Sequence, residues 1–412
     1  MSKSFERLLH PVSPAQFFAD TYEKKPLLIP AQDRARFDGL LSVAAIDRFL
    51  ATTSPCHPDV FLVDATRDLP PEEYSFQNGM PAGRLDLPRV YAHFAAGATI
   101  SITHLHECLP ELAALCRAVE KVFSGHFQTN IYLSPPNAQG FKTHFDSHDV
   151  FVLQIAGSKI WTLNDTGIEL PLHGQRFEPG VHTAGPVTQE FTLRQGDLLY
   201  CPRGLYHAAR STDEVSLHIT LGLIGKTWAD VVTEALSEAC LASPAFRANL
   251  PVGYANDGFD RAGVRKTFRT LVETFAREAT VDGILDRMAE DFIKSRHPDY
   301  AGGLAELDGA PEVTPATQVA PRPDLLYLLR EEGEQLTILF GASQITMPAF
   351  TAGCVRFALR GAPFAVRDLP EPLDDAGKVV LVRRLIREGL LMRAEVPPAS
   401  ALLQDVKSAR VA

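Results

Sequence analysis

Between residues 90 and 223 the apolar residues arrive in short runs: QTNIYLS, DVFVLQIAG, KIWTLND, EFTLRQGDLLYCP and VSLHITLGL. Gly, Pro, Asn and Asp separate them. Several short strands punctuated in this way predict a β-sandwich or barrel. From 226 to 300 the period changes. TWADVVTEALSEAC and RKTFRTLVETFAREATVDGILDRMAEDFIK place apolar residues three and four apart, which predicts helices. Ahead of the strand-rich stretch, SPAQFFADTYEKKPLLI at 13–29 reads as an opening helix and a first strand. AELDGAPEVTPATQVAPRPD at 305–324, with four prolines among small residues, reads as a linker; the alternative is an extended loop packed on the surface. The remainder, 325–412, has short strands (LTILFG, QITMP) and then KVVLVRRLIREGLL, a helix with Val379, Val382, Leu385 and Ile386 on one face. There is no internal repeat and no long low-complexity tract.

Composition narrows this picture. A chain of 412 residues suggests two or three domains. No apolar run is long enough to span a bilayer. The opening MSKSFERLLHPVSPAQFF has charges but neither an apolar signal core nor a small-residue cleavage site, so a cytoplasmic location is expected. A net charge of −10 argues against a nonspecific nucleic-acid binder. Cys56, Cys108, Cys116, Cys201, Cys240 and Cys354 lie far apart with no CxxC pair. That excludes an obvious zinc cage or disulfide framework, and most of them read as small buried apolar residues.

The concentrated chemistry lies in FKTHFDSHDVFVLQIAGSKIW, residues 141–161. In an extended segment alternate residues share a face, so His144 and Asp146 point the same way with Phe145 opposite. Two such ligands hold a divalent metal weakly, and a third is needed. His207, in GDLLYCPRGLYHAA, is the preferred third: GDLLYCP reads as a strand and PRGLYH as the turn into the next one. His148 competes for the role, but Asp146-Ser147 favours a turn that carries it away. His173, His182 and His218 are weaker candidates, and His173 and His182 read better as hydrogen-bonded imidazoles. Two imidazoles and one carboxylate on one face of an ion leave about three positions open, the arrangement of non-haem Fe(II) oxygenases. Lys159 sits among apolar residues in QIAGSKIWTL. Either it is buried and waits for an anion, such as the far end of a dicarboxylate, or it snorkels past Trp161 on a solvated face.

HFD at 144–146, Lys159 and His207 in GDLLYCPRGLYH resemble the JmjC/cupin-type 2-oxoglutarate oxygenases. NIYLSPPNAQGFKTHFDSHDVFVLQIAGSKIWTL, SPAQFFADTYEKKPLLI and SLHITLGL are similar to the ribosomal oxygenase branch of that family. The resemblance continues through the helical segment and DLPEPLDDAGKVVLVRRLIREGLL. It implies a double-stranded β-helix (jelly-roll, JmjC) barrel at 1–225 and a helical dimerisation region at 226–304. The linker at 305–324 and a winged-helix-like domain at 325–412 would follow. It also implies Fe(II) on His144, Asp146 and His207, and Lys159 paired with the far carboxylate of 2-oxoglutarate. Asn130, Tyr132, Thr143, Ser216, His218 and Thr220 would lie around the cosubstrate; each of these six is equally readable as a strand residue with a satisfied side chain.

The activity implied is hydroxylation of an amino-acid side chain of a protein, a ribosomal protein in this branch, by a homodimer. The acidic charge suits a basic partner. Membrane association and direct nucleic-acid binding are not expected. Rival readings are a JmjC-like oxygenase acting on another peptide or a small molecule, a non-enzymatic cupin/winged-helix regulator, and a cupin lyase or isomerase with no use for Lys159.

Overall fold

The computed structural model describes residues 3–78, 83–165, 167–296, 300, 302–304 and 312–394. Its contacts divide the chain into two compact units. One holds 1–225, 298–325 and 348–412, and the other holds 226–297 and 326–347.

In the first unit, helices α1 (Lys3–Leu9) and α2 (Pro14–Asp20) precede strand β1 (Leu27–Ile29), as the opening pattern predicts. The start of α2 is fixed locally: the Ser13 side chain accepts from the Gln16 N–H, and proline fills the first helical position. Helix α3 (Val43–Thr53), β2 (Val60–Val63), α4 (Leu87–Ala95), β3 (Thr99–Thr103) and α5 (Pro110–Phe123) follow. Then come β4 (His126–Ser134), β5 (Asp149–Ala156), β6 (Ser158–Asn164), β7 (Val187–Arg194), β8 (Leu198–Cys201), β9 (His207–Ser211) and β10 (Ser216–Ile224).

These strands make two antiparallel sheets. The larger runs β1-β8-β5-β10-β4-β3-β2 and the smaller β7-β6-β9. Val150 and Val152 of β5, Leu199 and Cys201 of β8, Trp161 and Leu163 of β6 and Leu193 of β7 share one core, so the two sheets close on each other. The other face of β5 carries Phe151 and Leu153 into a second core with Phe5, Phe17 and Tyr200. Strand β5 is thus buried on both faces, the physical reason its sequence is an unbroken apolar run rather than an alternating one.

The β5–β6 connection, which passes from one sheet to the other, turns at Gly157, with φ of 61°, and a Cβ there would lie 2.0 Å from the Val215 carbonyl oxygen. No side chain fits, and the backbone angle disfavours one independently. Gly157→Ala is therefore expected to destabilise the barrel by about 3 kcal/mol or more. The urea-unfolding midpoint measures this, and an unchanged midpoint would show that the turn yields easily.

The first unit also holds a small sheet, β15-β11-β16, built from β11 (Gln318–Pro321), β15 (Phe364–Ala365) and β16 (Leu391–Arg393). Helices α10 (Ala352–Ala358) and α11 (Asp375–Arg387) accompany it. On α11 the buried residues are Leu381, Val382 and Leu385, with Val379 and Ile386 half-buried at the margins of the expected face.

The second unit contains α6 (Trp228–Ala242), α7 (Pro244–Arg247), α8 (Ala262–Glu278) and α9 (Asp282–Lys294), helices where the period predicts them. It adds the sheet β12 (Leu328–Glu332), β13 (Gln335–Phe340) and β14 (Ser343–Pro348). Ile284 and Ile293 of α9 and Leu336, Ile338 and Phe340 of β13 are buried. Arg330 of β12 meets Glu290 of α9 at 3.0 Å.

Two boundaries differ from the sequence expectation. The stretch read as a linker lies outside the described residues at 305–311, but Gln318–Pro321 is not free chain: β11 is the central strand of its sheet, paired with both β15 and β16. The segment 325–412 is not one body either. Residues 326–347 belong with the helices, while 348–394 belongs with the barrel-containing unit. Apolar strands such as LTILF say that they must be covered, and not by what. The cysteines also depart from expectation. Cys116, Cys201 and Cys354 are buried, Cys56 and Cys240 are partly exposed and Cys108 is exposed.

Candidate active site

Residues 141–148 lie between strands, and β5 begins only at Asp149. His144 forms an isolated antiparallel bridge with His207, the first residue of β9. The His144 N–H donates to the His207 carbonyl at 3.1 Å, and the His207 N–H donates back at 2.8 Å. Residues paired in this way project to the same side, and the two imidazole centroids are 4.6 Å apart. Asp146 joins them. Its carbonyl accepts from the Gly204 N–H at 2.9 Å, and its Oδ2 lies 3.7 Å from His207 Nε2. One ligand atom from each of His144, Asp146 and His207 falls within 4.8 Å of the others, the only such group among the described residues.

The donor chemistry suits a divalent metal. His144 Nδ1 lies 2.8 Å from the Lys142 carbonyl and His207 Nδ1 lies 3.0 Å from the Leu205 carbonyl. A carbonyl oxygen only accepts, so each Nδ1 carries the proton and each Nε2 keeps a free lone pair. Burial, then the neighbouring His144, lowers the His207 pKa and keeps its ring neutral. Burial works against the Asp146 carboxylate, but His148, His207 and His144 outweigh it and hold the carboxyl below its usual range. His148 is not in the triad; its ring packs over Gly222 of β10. His182 Nδ1 accepts from the Glu178 N–H, and the His173 carbonyl accepts from Ser147 Oγ.

Lys159 is the second feature. It is 4 % exposed, which rules out a snorkelling surface lysine. Its side chain has no hydrogen bond or ion pair among the described residues, and burial alone brings its pKa down to about 7. An ammonium group so placed calls for an anion. Lys159 and the triad line one cavity, together with Tyr132, His218, Thr220, Trp161, Thr99 and Phe141. The strand ladders explain the convergence. Trp161 opposes Ala209 across β6 and β9, and Lys159 and His207 share their face. On β10, His218 and Thr220 lie two apart. Tyr132 on β4 stacks on His218, with ring centroids 4.8 Å apart.

Of the six residues expected around the cosubstrate, Tyr132, His218 and Thr220 line this cavity, while Asn130, Thr143 and Ser216 do not. Ser216 Oγ accepts from Gln154 Nε2 at 2.8 Å, a satisfied buried contact. Burial, then the Asp146 charge, raises the Tyr132 pKa, so its phenol is a donor. Burial, then Lys159 and His207, keeps His218 neutral. Among the described residues, the Trp161 Nε1–H and His218 Nδ1 are buried without a hydrogen-bond partner. Trp161 could have been found in the sequence, because it lies two residues from Lys159 on a strand. Thr99 could not, because only the fold brings β3 there.

Residues 101–231, which carry the triad and the buried lysine, match the family model described as the JmjC domain. Among characterised proteins, the chain is similar to ribosomal oxygenase 1 of Rattus norvegicus. They are 30 % identical over 318 residues, covering 72 % of this chain and 52 % of the relative. It is also similar to the bifunctional lysine-specific demethylase and histidyl-hydroxylase NO66 of Drosophila persimilis, at 29 % identity over 72 % of this chain and 44 % of that one. The chain spans about half the length of these relatives. Among solved structures, the Escherichia coli ribosomal oxygenase YcfD in complex with cobalt and 2-oxoglutarate shares the fold. Its TM-score is 0.53 at 14 % identity, covering 93 % of this chain and 99 % of that one.

Proposed function

We propose that this chain is an Fe(II)- and 2-oxoglutarate-dependent dioxygenase that hydroxylates an amino-acid side chain of a ribosomal protein. The observation that carries this reading is the buried, unpartnered Lys159 in the same cavity as the triad. A metal-dependent lyase or isomerase acting on an uncharged substrate has no need of that cation. The names of the relatives support the oxygenase class and the ribosomal target.

His144, Asp146 and His207 would hold the iron through two Nε2 atoms and a carboxylate oxygen, with the Nδ1–H bonds fixing both rings. Iron with 2-oxoglutarate and oxygen supplies an oxidant that converts a substrate C–H to C–OH as the cosubstrate becomes succinate and carbon dioxide. Lys159 holds the remote carboxylate and so sets the cosubstrate's direction. Tyr132 offers a phenol proton to the same molecule, and His218 a neutral imidazole. Trp161, Val150 and Val152 form apolar walls that keep water from the charged contacts and strengthen them.

This reading includes a homodimer formed by the helical unit. Trp228, Val232 and Leu236 recur every four residues on α6 and are 78, 51 and 43 % exposed. On α8, which buries no residue, Phe268 and Val272 are 66 and 47 % exposed. A second copy would cover such stripes. Trp228→Glu with Phe268→Glu should convert a dimer to a monomer in sedimentation equilibrium, and a monomeric wild type would end this part of the reading. The small sheet with α10 and α11 supplies the winged-helix-like part, with no nucleic-acid role assigned. Among the described residues no helix is long and apolar enough to cross a membrane. We place the enzyme in the cytoplasm with its target.

The deciding test of function is anaerobic titration of the Fe(II)-loaded protein with 2-oxoglutarate. A visible charge-transfer band is expected. Bound metal with no band would favour a cupin that uses its metal another way.

A further inference from the structure

Four residues around the first residue of β5 form a closed ring of contacts that the chemistry above does not use. Asp149 is 1 % exposed. Its Oδ1 accepts the Tyr200 hydroxyl at 2.6 Å, and its Oδ2 accepts from Arg203 Nη1 at 3.2 Å. The same Arg203 nitrogen reaches Glu23 Oε1 at 2.5 Å, and the Glu23 N–H donates to the Tyr200 hydroxyl at 2.9 Å. Glu23 has φ of 57°, a left-handed conformation uncommon outside glycine. Its two contacts to the ring hold it there, and such held backbone tends to mark functional constraint.

The ring stands at the root of both ligand segments. Asp149 ends the stretch that carries His144 and Asp146. Arg203 immediately precedes Gly204, whose N–H donates to the Asp146 carbonyl at 2.9 Å. That turn runs directly into His207, whose N–H donates to the His144 carbonyl at 2.8 Å. Gly204, with φ of 84°, has no room for a side chain, because a Cβ would lie 2.0 Å from the Ile168 carbonyl oxygen. A buried ion pair is a poor source of net stability compared with apolar packing, but one guanidinium nitrogen shared by the Asp149 and Glu23 carboxylates ties together the segments that carry them. The arrangement therefore suits registry better than stabilisation.

We infer that Arg203 is a positioning residue for the triad: paired with Asp149 and Glu23, it clamps the 202–206 turn to the 144–148 segment and sets His207 against His144 and Asp146. It acts through these segments and is not itself a metal ligand. Its functional weight rests on the metal-site reading above. The rival is a purely structural ring that ties the Glu23 turn to the barrel.

Hydrogen exchange of the metal-free full chain separates the two, read by mass spectrometry on peptides covering 203–208 and, as control, 216–224 of β10. Wild type, Arg203→Gln, Arg203→Lys and Asp149→Asn are compared, with Co(II) titrated in parallel. Arg203→Gln and Asp149→Asn should speed exchange at 203–208 about tenfold or more with 216–224 unchanged. Both should weaken Co(II) binding by about 10–100-fold, the usual effect of losing a partner that orients a ligand. Arg203→Lys should recover part of both. Unchanged exchange at 203–208, or an equal rise at 216–224, would overturn the inference and leave a structural ring. If Arg203→Gln fails to fold, Asp149→Asn, which keeps the shape and removes the charge, decides alone. If wild type binds no Co(II), the metal-site reading falls, while the exchange result still decides whether Arg203 clamps the turn.

Discussion

Asp146→Ala is expected to abolish tight Fe(II) binding and lower turnover by at least about a thousandfold, with the barrel still folded. The carboxylate is the only anionic member of the triad. Without it two neutral imidazoles face a dication, and the site loses both a donor and its charge balance. Asp146 keeps 30 % of its side chain exposed, so truncation leaves no deep cavity and stability should change little. Anaerobic equilibrium dialysis with Fe(II) measures the loss, and circular dichroism confirms the fold. His144→Ala should behave similarly. Undiminished Fe(II) affinity in both variants would show that the triad is not the metal site.

Lys159→Ala is expected to raise the 2-oxoglutarate concentration at half-saturation by about a hundredfold or more, because the partner of a desolvated carboxylate is removed. The pH dependence carries a sign that can be worked out. Burial depresses the free Lys159 pKa to about 7, so above that pH the free protein has released the proton. A dicarboxylate binds the charged form, and binding at higher pH must first take a proton up. Wild-type affinity should therefore fall as pH rises above 7, approaching tenfold per pH unit, while Lys159→Ala should be flat over the same range. The stability of the free protein runs the opposite way. The depressed pKa is a cost fully present below about 7, so Lys159 contributes a stability that rises with pH between that value and the unfolded lysine value near 10. Isothermal titration at pH 6.5, 7.5 and 8.5 would check the first. A pH-independent wild type would mean that Lys159 does not meet the anion.

The homology of form to YcfD and the match of 101–231 to the JmjC domain agree with the barrel read from the strand pattern. His144 and Asp146 were legible because they are two residues apart. They do not sit on a regular strand; a single bridge to His207 sets their direction. Lys159 was legible as an anomaly, a lysine inside an apolar run. Its burial decided between two readings that sequence left equal. Asn130 and Ser216 show the opposite limit. The resemblance placed both around the cosubstrate, but it says nothing of how far along a strand this cavity reaches. Ser216 lies beyond its end, bonded to Gln154.

By itself, the sequence determined what local rules control. Periods of two and three-to-four residues marked strands and helices, Ser13 and Pro14 set the start of α2, and the clustered His and Asp raised the expectation of a metal site. Only the tertiary structure decided what depends on partners distant in the chain. It brought His207 opposite His144, placed Thr99 of β3 in the cavity, and gave 326–347 to the helical unit rather than to 348–394. The physical reason is that an apolar strand or a buried charge states only what it needs. Which distant element satisfies the need is settled by packing and by the register of ladders such as β6 with β9, which no local pattern records.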